Sequence, residues 1–208
     1  MRHKFGLTGR ILFTAVPLLL LAGIAWGLRS VQHARAEQSL SGEEFQDMDT
    51  IYLAGGCFWG VQKFFDQFEG VISTKVGYAN GPDAAPSYKE VRAGSGHAET
   101  VKIEYDPERI TLKKLLDFYF MVIDPLSVNK QGEDEGVQYR TGVYYTVQEQ
   151  LPEIEQAFCE QEEKAGGKLA VELMPLKNFF DAEEYHQKYL DKNPGGYCHI
   201  PAKMLHLK

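Results

Sequence analysis

Cysteine is scarce in this chain: three residues of 208, at Cys57, Cys159 and Cys198. Three is too few for a disulfide scaffold, and their separations match no zinc site. They leave room for one redox pair and one bystander. Acidic residues are missing altogether from residues 1–36, which hold five of the 22 Lys/Arg and none of the 29 Asp/Glu. The remainder therefore carries 17 basic side chains against 29 acidic ones. A basic footprint is lacking there, which argues against a nucleic-acid partner, because binding phosphates requires one. Internal repeats and low-complexity segments are also absent. The chain beyond residue 36 is long enough for one domain with a sizeable core.

The chain begins with an uncharged run over residues 11–28, flanked by Arg2, Lys4 and Arg10 before it and by Arg29, His33 and Arg35 after it. Two readings are open. The run is an export signal cut after Ala34-Arg35-Ala36, a small-x-small pattern, or an uncleaved anchor just long enough to cross a bilayer. The long basic stretch before Ala36 and the length of the run favour the anchor. Either way the basic N-terminus stays inside and the rest is exported. Residues 37–49 are polar and acidic and read as a tether.

The domain is organised around Ile51-Tyr52-Leu53-Ala54-Gly55-Gly56-Cys57-Phe58-Trp59-Gly60. An apolar strand is halted by two glycines. Val61, Phe64, Phe65 and Phe68 then recur at i, i+3, i+4 and i+7, the buried face of a helix. Cys57 thus stands at a helix N-terminus, where unpaired N–H groups and the helix dipole favour the reactive thiolate.

Further along, residues 71–78 read as a strand, 80–86 and 91–97 as loops, and 100–105, with strict alternation, as a strand. Leu112, Leu115, Leu116, Tyr119 and Phe120 form a helical stripe. A long polar loop is expected over 124–136, a strand over 141–146, a charged amphipathic helix over 148–165, and a strand over 170–173 ahead of Pro175. Asp181 and Glu184 have the spacing of a capping box and predict a helix running to Leu190. The tail from Asn193 is irregular. These elements predict an α+β fold with a mostly antiparallel sheet packed on helices.

The string Gly55-Gly56-Cys57-Phe58-Trp59-Gly60 resembles the active-site motif of the A-type peptide methionine sulfoxide reductases. The resemblance spans residues 50–201. It implies a ferredoxin-like α/β sandwich with a long irregular C-terminal tail. The expected organisation is an anchor or signal over 1–36, a linker over 37–49 and the reductase domain over 50–208.

Reducing a sulfoxide requires a soft nucleophile, an acid to protonate the departing oxygen, and an apolar pocket for the methyl group. Cys57 supplies the first. Glu99, in Gly96-His97-Ala98-Glu99, matches the acid-bearing motif of the family, and a carboxyl among aromatic rings is kept protonated by desolvation. Tyr88 and Tyr139 match tyrosines that bind the sulfoxide oxygen, and Asp134 matches a loop aspartate. Phe58 and Trp59 are the expected methyl pocket, with core packing the alternative for one of them. Asn193-Pro194-Gly195-Gly196-Tyr197-Cys198 looks like the resolving-cysteine tail of the family. A Cys57 sulfenic acid would condense with Cys198. The tail after Cys198 has no further cysteine, which implies direct re-reduction by a thioredoxin-like donor. Cys159 fits no motif.

The resemblance further implies action on the S-epimer of methionine sulfoxide, free or in oxidised proteins, with no bound cofactor and no metal. A monomer is expected, tied to the membrane through residues 11–28, with the catalytic domain outside the cytoplasm. The alternative is a soluble exported form cut after Ala36. The rival enzyme class is a Cys–His hydrolase using His97 as base. It would need an orienting partner and an oxyanion hole that the sequence does not display. His186 reads as structural.

Overall fold

The computed structural model describes residues 48–207. The expected anchor over 11–28 and nearly all of the tether lie outside the described residues. Among the described residues, no helix is long and apolar enough to cross a membrane.

Among these residues eight strands form two sheets. Strands β1 (Asp49–Gly55), β2 (Val71–Ala79), β3 (Ala98–Tyr105), β6 (Thr141–Tyr145), β7 (Glu172–Pro175) and β8 (Phe179–Asp181) make a six-stranded sheet in the order β7-β6-β1-β3-β2-β8. Strands β4 (Lys130–Gln131) and β5 (Asp134–Glu135) make a small hairpin of their own. All pairings in the large sheet are antiparallel except β6 with β7. A parallel neighbour needs a crossover, and α4 (Leu151–Ala165) supplies it. Helix α1 (Phe58–Phe65) connects β1 to β2, and α3 (Leu112–Val122) connects β3 to β6. The inner four strands, β6-β1-β3-β2, with α1 and α3 as crossovers, are the split βαβ arrangement of a ferredoxin-like fold. The α+β expectation holds.

The helices form where the sequence stripes demand. Val61, Phe64 and Phe65 of α1 are fully buried, as are Leu115, Leu116 and Tyr119 of α3. Phe68 lies just past the end of α1, and its ring stacks on Phe118 at 3.9 Å. Tyr119 also does polar work. Its hydroxyl donates to the Ala54 carbonyl at 2.7 Å and accepts from the Gly142 N–H at 3.0 Å. It thereby pins the end of β1 to β6 directly behind the Gly55-Gly56 turn.

Four local expectations are corrected. The loop expected over 91–97 starts later than expected, because Tyr88–Arg92 forms a short helix, α2, opened by a true capping box. Glu90 N–H donates to Ser87 Oγ, and the Ser87 N–H donates back to Glu90 Oε2 at 2.8 Å. The capping box read at Asp181 and Glu184 does not form. Asp181 is held extended by pairing with Gly77 in β8 and binds Lys75 Nζ at 3.0 Å, while Glu184 reaches forward to Lys192. The helix of this region is the short α5 (Tyr189–Lys192). Strand β7 runs through Pro175 rather than ending before it, which an edge strand tolerates. The polar loop over 124–136 contains the β4–β5 hairpin, closed by Gln131, whose side-chain amide bonds both the N–H and the carbonyl of Asp124.

Candidate active site

The edge of the site is the turn between β1 and α1. Gly56 has φ +81°, and a methyl group there would stand 2.6 Å from Gln131 Cβ, so only glycine fits under the hairpin. Cys57 occupies the N-cap of α1 without capping the helix through its side chain. Glu99 does so instead. It is the second residue of β3, its side chain is only 1% exposed, and its Oε2 accepts the Phe58 N–H at 3.1 Å. The Glu99 carboxyl is thereby fixed one residue from the Cys57 thiol, on the backbone of α1.

Burial pushes the Glu99 carboxyl up to about 8, against the pull of the Phe58 N–H, and the Asp134 charge adds to the rise. At neutral pH Glu99 is a neutral acid. With Oε2 occupied by the N–H, Oε1 is the oxygen left to carry the proton.

Cys57 departs from the expectation of a resting thiolate. Burial, and then the Glu99 charge, raise its thiol well above the ordinary value, and the Trp59 N–H at the helix start does not compensate. The helix terminus acts in the expected direction, but desolvation is larger. Cys57 is 6% exposed and rests as a thiol.

The other sequence-selected residues gather around this pair. Tyr88 and Tyr139 are half-buried, and both phenols are held above their ordinary value by burial and then by Glu99; Tyr88 reaches about 12. Both therefore remain O–H donors. Each phenol would also feel Cys57 were that thiol ionised. Asp134, on β5, accepts from the Tyr197 hydroxyl at 2.9 Å and so ties the hairpin to the tail. Phe58 and Trp59 divide their roles. Phe58 is 1% exposed and belongs to the core. Trp59 is half-buried, stacks on Tyr189 at 3.8 Å, and donates its indole N–H to His186 Nδ1 at 3.0 Å.

Cys198 lies against the first turn of α1: a methyl group on Gly60 would stand 2.9 Å from its Sγ. Cys57 and Cys198 are both free thiols here. Burial raises Cys198 above its ordinary value. Cys159 is exposed on α4. His97 is engaged at both ring nitrogens, with the Pro82 carbonyl at 3.0 Å and Ser95 Oγ at 2.9 Å. Accepting from Ser95 and donating to Pro82, it braces a loop, which leaves it no nitrogen to serve as a base toward Cys57.

Three contributors carried no motif. Glu183 accepts from the Tyr78 hydroxyl at 2.7 Å and from the Tyr88 N–H at 2.9 Å. Burial pushes its carboxyl up, but these donors prevail and hold it below its ordinary value. His186 supports Trp59 on one side, meets the Tyr88 ring at 4.4 Å on another, and is kept below its ordinary value by burial. His199 packs over the turn itself. A methyl group on Gly56 would stand 3.2 Å from its Nε2.

Comparison with known proteins agrees with this geometry. Residues 49–207 match the family model for peptide methionine sulfoxide reductase. A protein of Clostridium acetobutylicum, peptide methionine sulfoxide reductase MsrA, is 54% identical over 159 residues, covering 76% of this chain and 98% of that one. The crystal structure of Mxr1 from Saccharomyces cerevisiae in reduced form superposes with a TM-score of 0.69 at 42% identity, covering 73% of this chain and 88% of that one. The structure of Mxr1 in complex with Trx2 gives 0.50 at 32% identity, covering 68% and 84%. A buried acid held on the amide beside a thiol, and a match over nearly all the described residues, lead to one assignment: the chain belongs to the peptide methionine sulfoxide reductase family.

Proposed function

We propose that this enzyme reduces the S-epimer of methionine sulfoxide, free or in oxidised proteins, by thiol chemistry at Cys57, Glu99 and Cys198. The Cys57 sulfur attacks the sulfoxide sulfur. Glu99 lends its proton to the oxygen, and the proton leaving the Cys57 thiol restores it. Tyr88 and Tyr139 donate to the oxygen, Asp134 holds the hairpin side of the site, and Trp59, backed by Phe58, receives the methyl group. The products are methionine and a Cys57 sulfenic acid. Condensation with the Cys198 thiol forms the Cys57–Cys198 disulfide and releases water. A thioredoxin-like donor supplies two electrons to reopen it, a reading supported by the Trx2 complex of the yeast relative. No bound cofactor or metal takes part in these steps.

The observation that carries this reading is the buried, protonated Glu99 bonded to the Phe58 amide next to Cys57. The experiment follows each epimer of a racemic methyl sulfoxide while thiols are titrated. One equivalent of methionine and loss of two thiols, from the S-epimer alone, are expected. Equal consumption of both epimers, or unchanged thiols, would overturn it.

We also read the chain as exported and held in the membrane through residues 11–28, as a monomer, with a linker over 37–49 before the domain at 50–208. The alternative is a soluble form cut after Ala36. N-terminal sequencing of membrane and soluble fractions separates the two.

A further inference from the structure

His199 has no role in the steps above, yet its imidazole lies where they occur. Its Nε2 would be 3.2 Å from a methyl group on Gly56, and its Cε1 3.5 Å from one on Gly60. These glycines bracket Cys57, and the same Gly60 methyl would be 2.9 Å from Cys198 Sγ. The imidazole and the Cys198 sulfur therefore share the surface of the first turn of α1. The Gly55 carbonyl is the one polar group that engages the His199 ring, outside ordinary hydrogen-bond geometry, and no side chain among the described residues bonds either ring nitrogen. By contrast His97 is bonded at both nitrogens and His186 at Nδ1.

The chemistry at this spot has an unmet need. Cys198 must attack as a nucleophile, and the thiolate is the nucleophilic form. Burial raises its thiol, so it rests protonated. A base within reach of the first turn of α1 has to take that proton.

We propose that His199 is the proton carrier of the disulfide-forming step. Its imidazole accepts the S–H proton as the Cys198 sulfur attacks the sulfenic sulfur of Cys57. The S–S bond forms, the S–O bond of the sulfenic acid breaks, and the imidazolium returns the proton to the departing hydroxide, which leaves as water. No outside oxidant or reductant is needed. The proposal rests on the assignment of Cys57 and Cys198 as the reacting pair.

The imidazole is in the right protonation state for the task. Burial lowers it below its ordinary value of 6.5, with the Asp134 charge and the Gly55 carbonyl opposing. Around it, Gln131 beside Gly56 is uncharged, Cys198 beside Gly60 is a thiol, and Asp134 on the hairpin is the side chain whose charge acts on the ring. His199 is thus a free base at neutral pH.

The test uses the full chain and one equivalent of a methyl sulfoxide without reductant, over about pH 5.5–9, a span that brackets the ordinary imidazole range. Methionine formed, sulfenic acid trapped by a cyclic dione, and thiols lost are followed for wild type, His199→Gln, His199→Asn and Cys198→Ser. Both His199 variants should form methionine at the wild-type rate, which also shows that they fold. Disulfide formation should slow by about 10²-fold, the lower range for loss of a general base, and sulfenic acid should accumulate. The acid-side inflection of that step should vanish. Disulfide formation at close to the wild-type rate, with the same pH profile, overturns the proposal. So does equal slowing of both steps, which would make His199 purely structural. Failure of the underlying reading looks different: wild type would give no methionine burst, or Cys198→Ser would trap no sulfenic acid.

Discussion

The Phe58 amide donates to Glu99 Oε2 at 3.1 Å, across 41 positions of sequence. This one bond caps helix α1, which Cys57 leaves uncapped, and it fixes the Glu99 carboxyl beside the Cys57 thiol. It also orients the carboxyl, because the oxygen engaged by the amide cannot be the one that donates.

Glu99→Gln should slow the chemical step while sparing the thiol. The amide keeps an acceptor for the Phe58 N–H but cannot lend a proton, and loss of general-acid help is worth about 10²–10⁴-fold. Single-turnover methionine formation should fall by that factor, with Cys57 still alkylated at a rate close to wild type. In wild type the step should decline as pH rises through about 8, where Glu99 ionises. Cys57, raised well above its ordinary 9.0, offers no compensating thiolate in that range. A rate that climbs through about pH 8 would show that the proton comes from elsewhere.

The same carboxyl makes stability depend on pH. Its folded value of about 8 lies above the ordinary 4.5. The folded state therefore holds a proton that the unfolded state has released. The associated stability is fully present below pH 4.5 and is lost as pH rises through about 8. Glu99→Gln removes this loss. The unfolding free energy of the variant, read from urea titrations, should gain on wild type between about pH 5 and pH 8 by an amount of the order of a few kcal/mol. Parallel curves would mean that the carboxyl is already ionised in the folded protein.

Glu183→Ala tests the brace behind Tyr88. The substitution strips acceptors from the Tyr78 hydroxyl and the Tyr88 N–H. Leaving such groups unsatisfied costs about 1–3 kcal/mol each. Loss of Tyr88 positioning should lower kcat/KM by about 10–10²-fold, since small displacements of binding groups are costly. Cys57 alkylation should be unchanged, so steady-state kinetics read together with thermal melts separate positioning from collapse.

Gly56→Ala should loosen the hairpin over the site. A methyl there meets Gln131 Cβ at 2.6 Å, and the backbone sits at φ +81°. Strain of these two kinds is worth about 1–3 kcal/mol. Hydrogen exchange should rise first at Asp124, whose N–H is held by Gln131 Oε1 at 2.7 Å. Unchanged exchange there would mean that the turn yields without disturbing its cover.

The strand–helix junction at Cys57 is legible in the sequence because an apolar strand precedes it and a clean apolar stripe comes after. The six-stranded order is not, since pairing partners such as Ala54 and Thr100 carry no mark of each other. Ser87 and Glu90 have the spacing of a capping box, but the five-residue helix they open shows no stripe. Asp181 and Glu184 have the same spacing, and strand pairing overrides it. The thiol state of Cys57 escapes the sequence for a related reason. Sequence displays the helix terminus but not the depth of burial, nor a glutamate arriving from β3. Glu183 leaves no signal, whereas His199 leaves one in its adjacency to Cys198.

Cys198→Ser should divide reduction from recycling. Cys57 and Glu99 remain, so one equivalent of methionine should still form. Serine cannot condense with the sulfenic acid, and Cys159, exposed on α4, matches no motif. Turnover with a thioredoxin-like donor should therefore collapse. A small dithiol such as dithiothreitol attacks the sulfenic acid directly and should restore part of it. The measurements are methionine formed per enzyme without reductant, then steady-state rates with each donor. Normal cycling with the protein donor would remove Cys198 from the mechanism, and a Cys159→Ser variant in the same background would then show whether that thiol had taken its place.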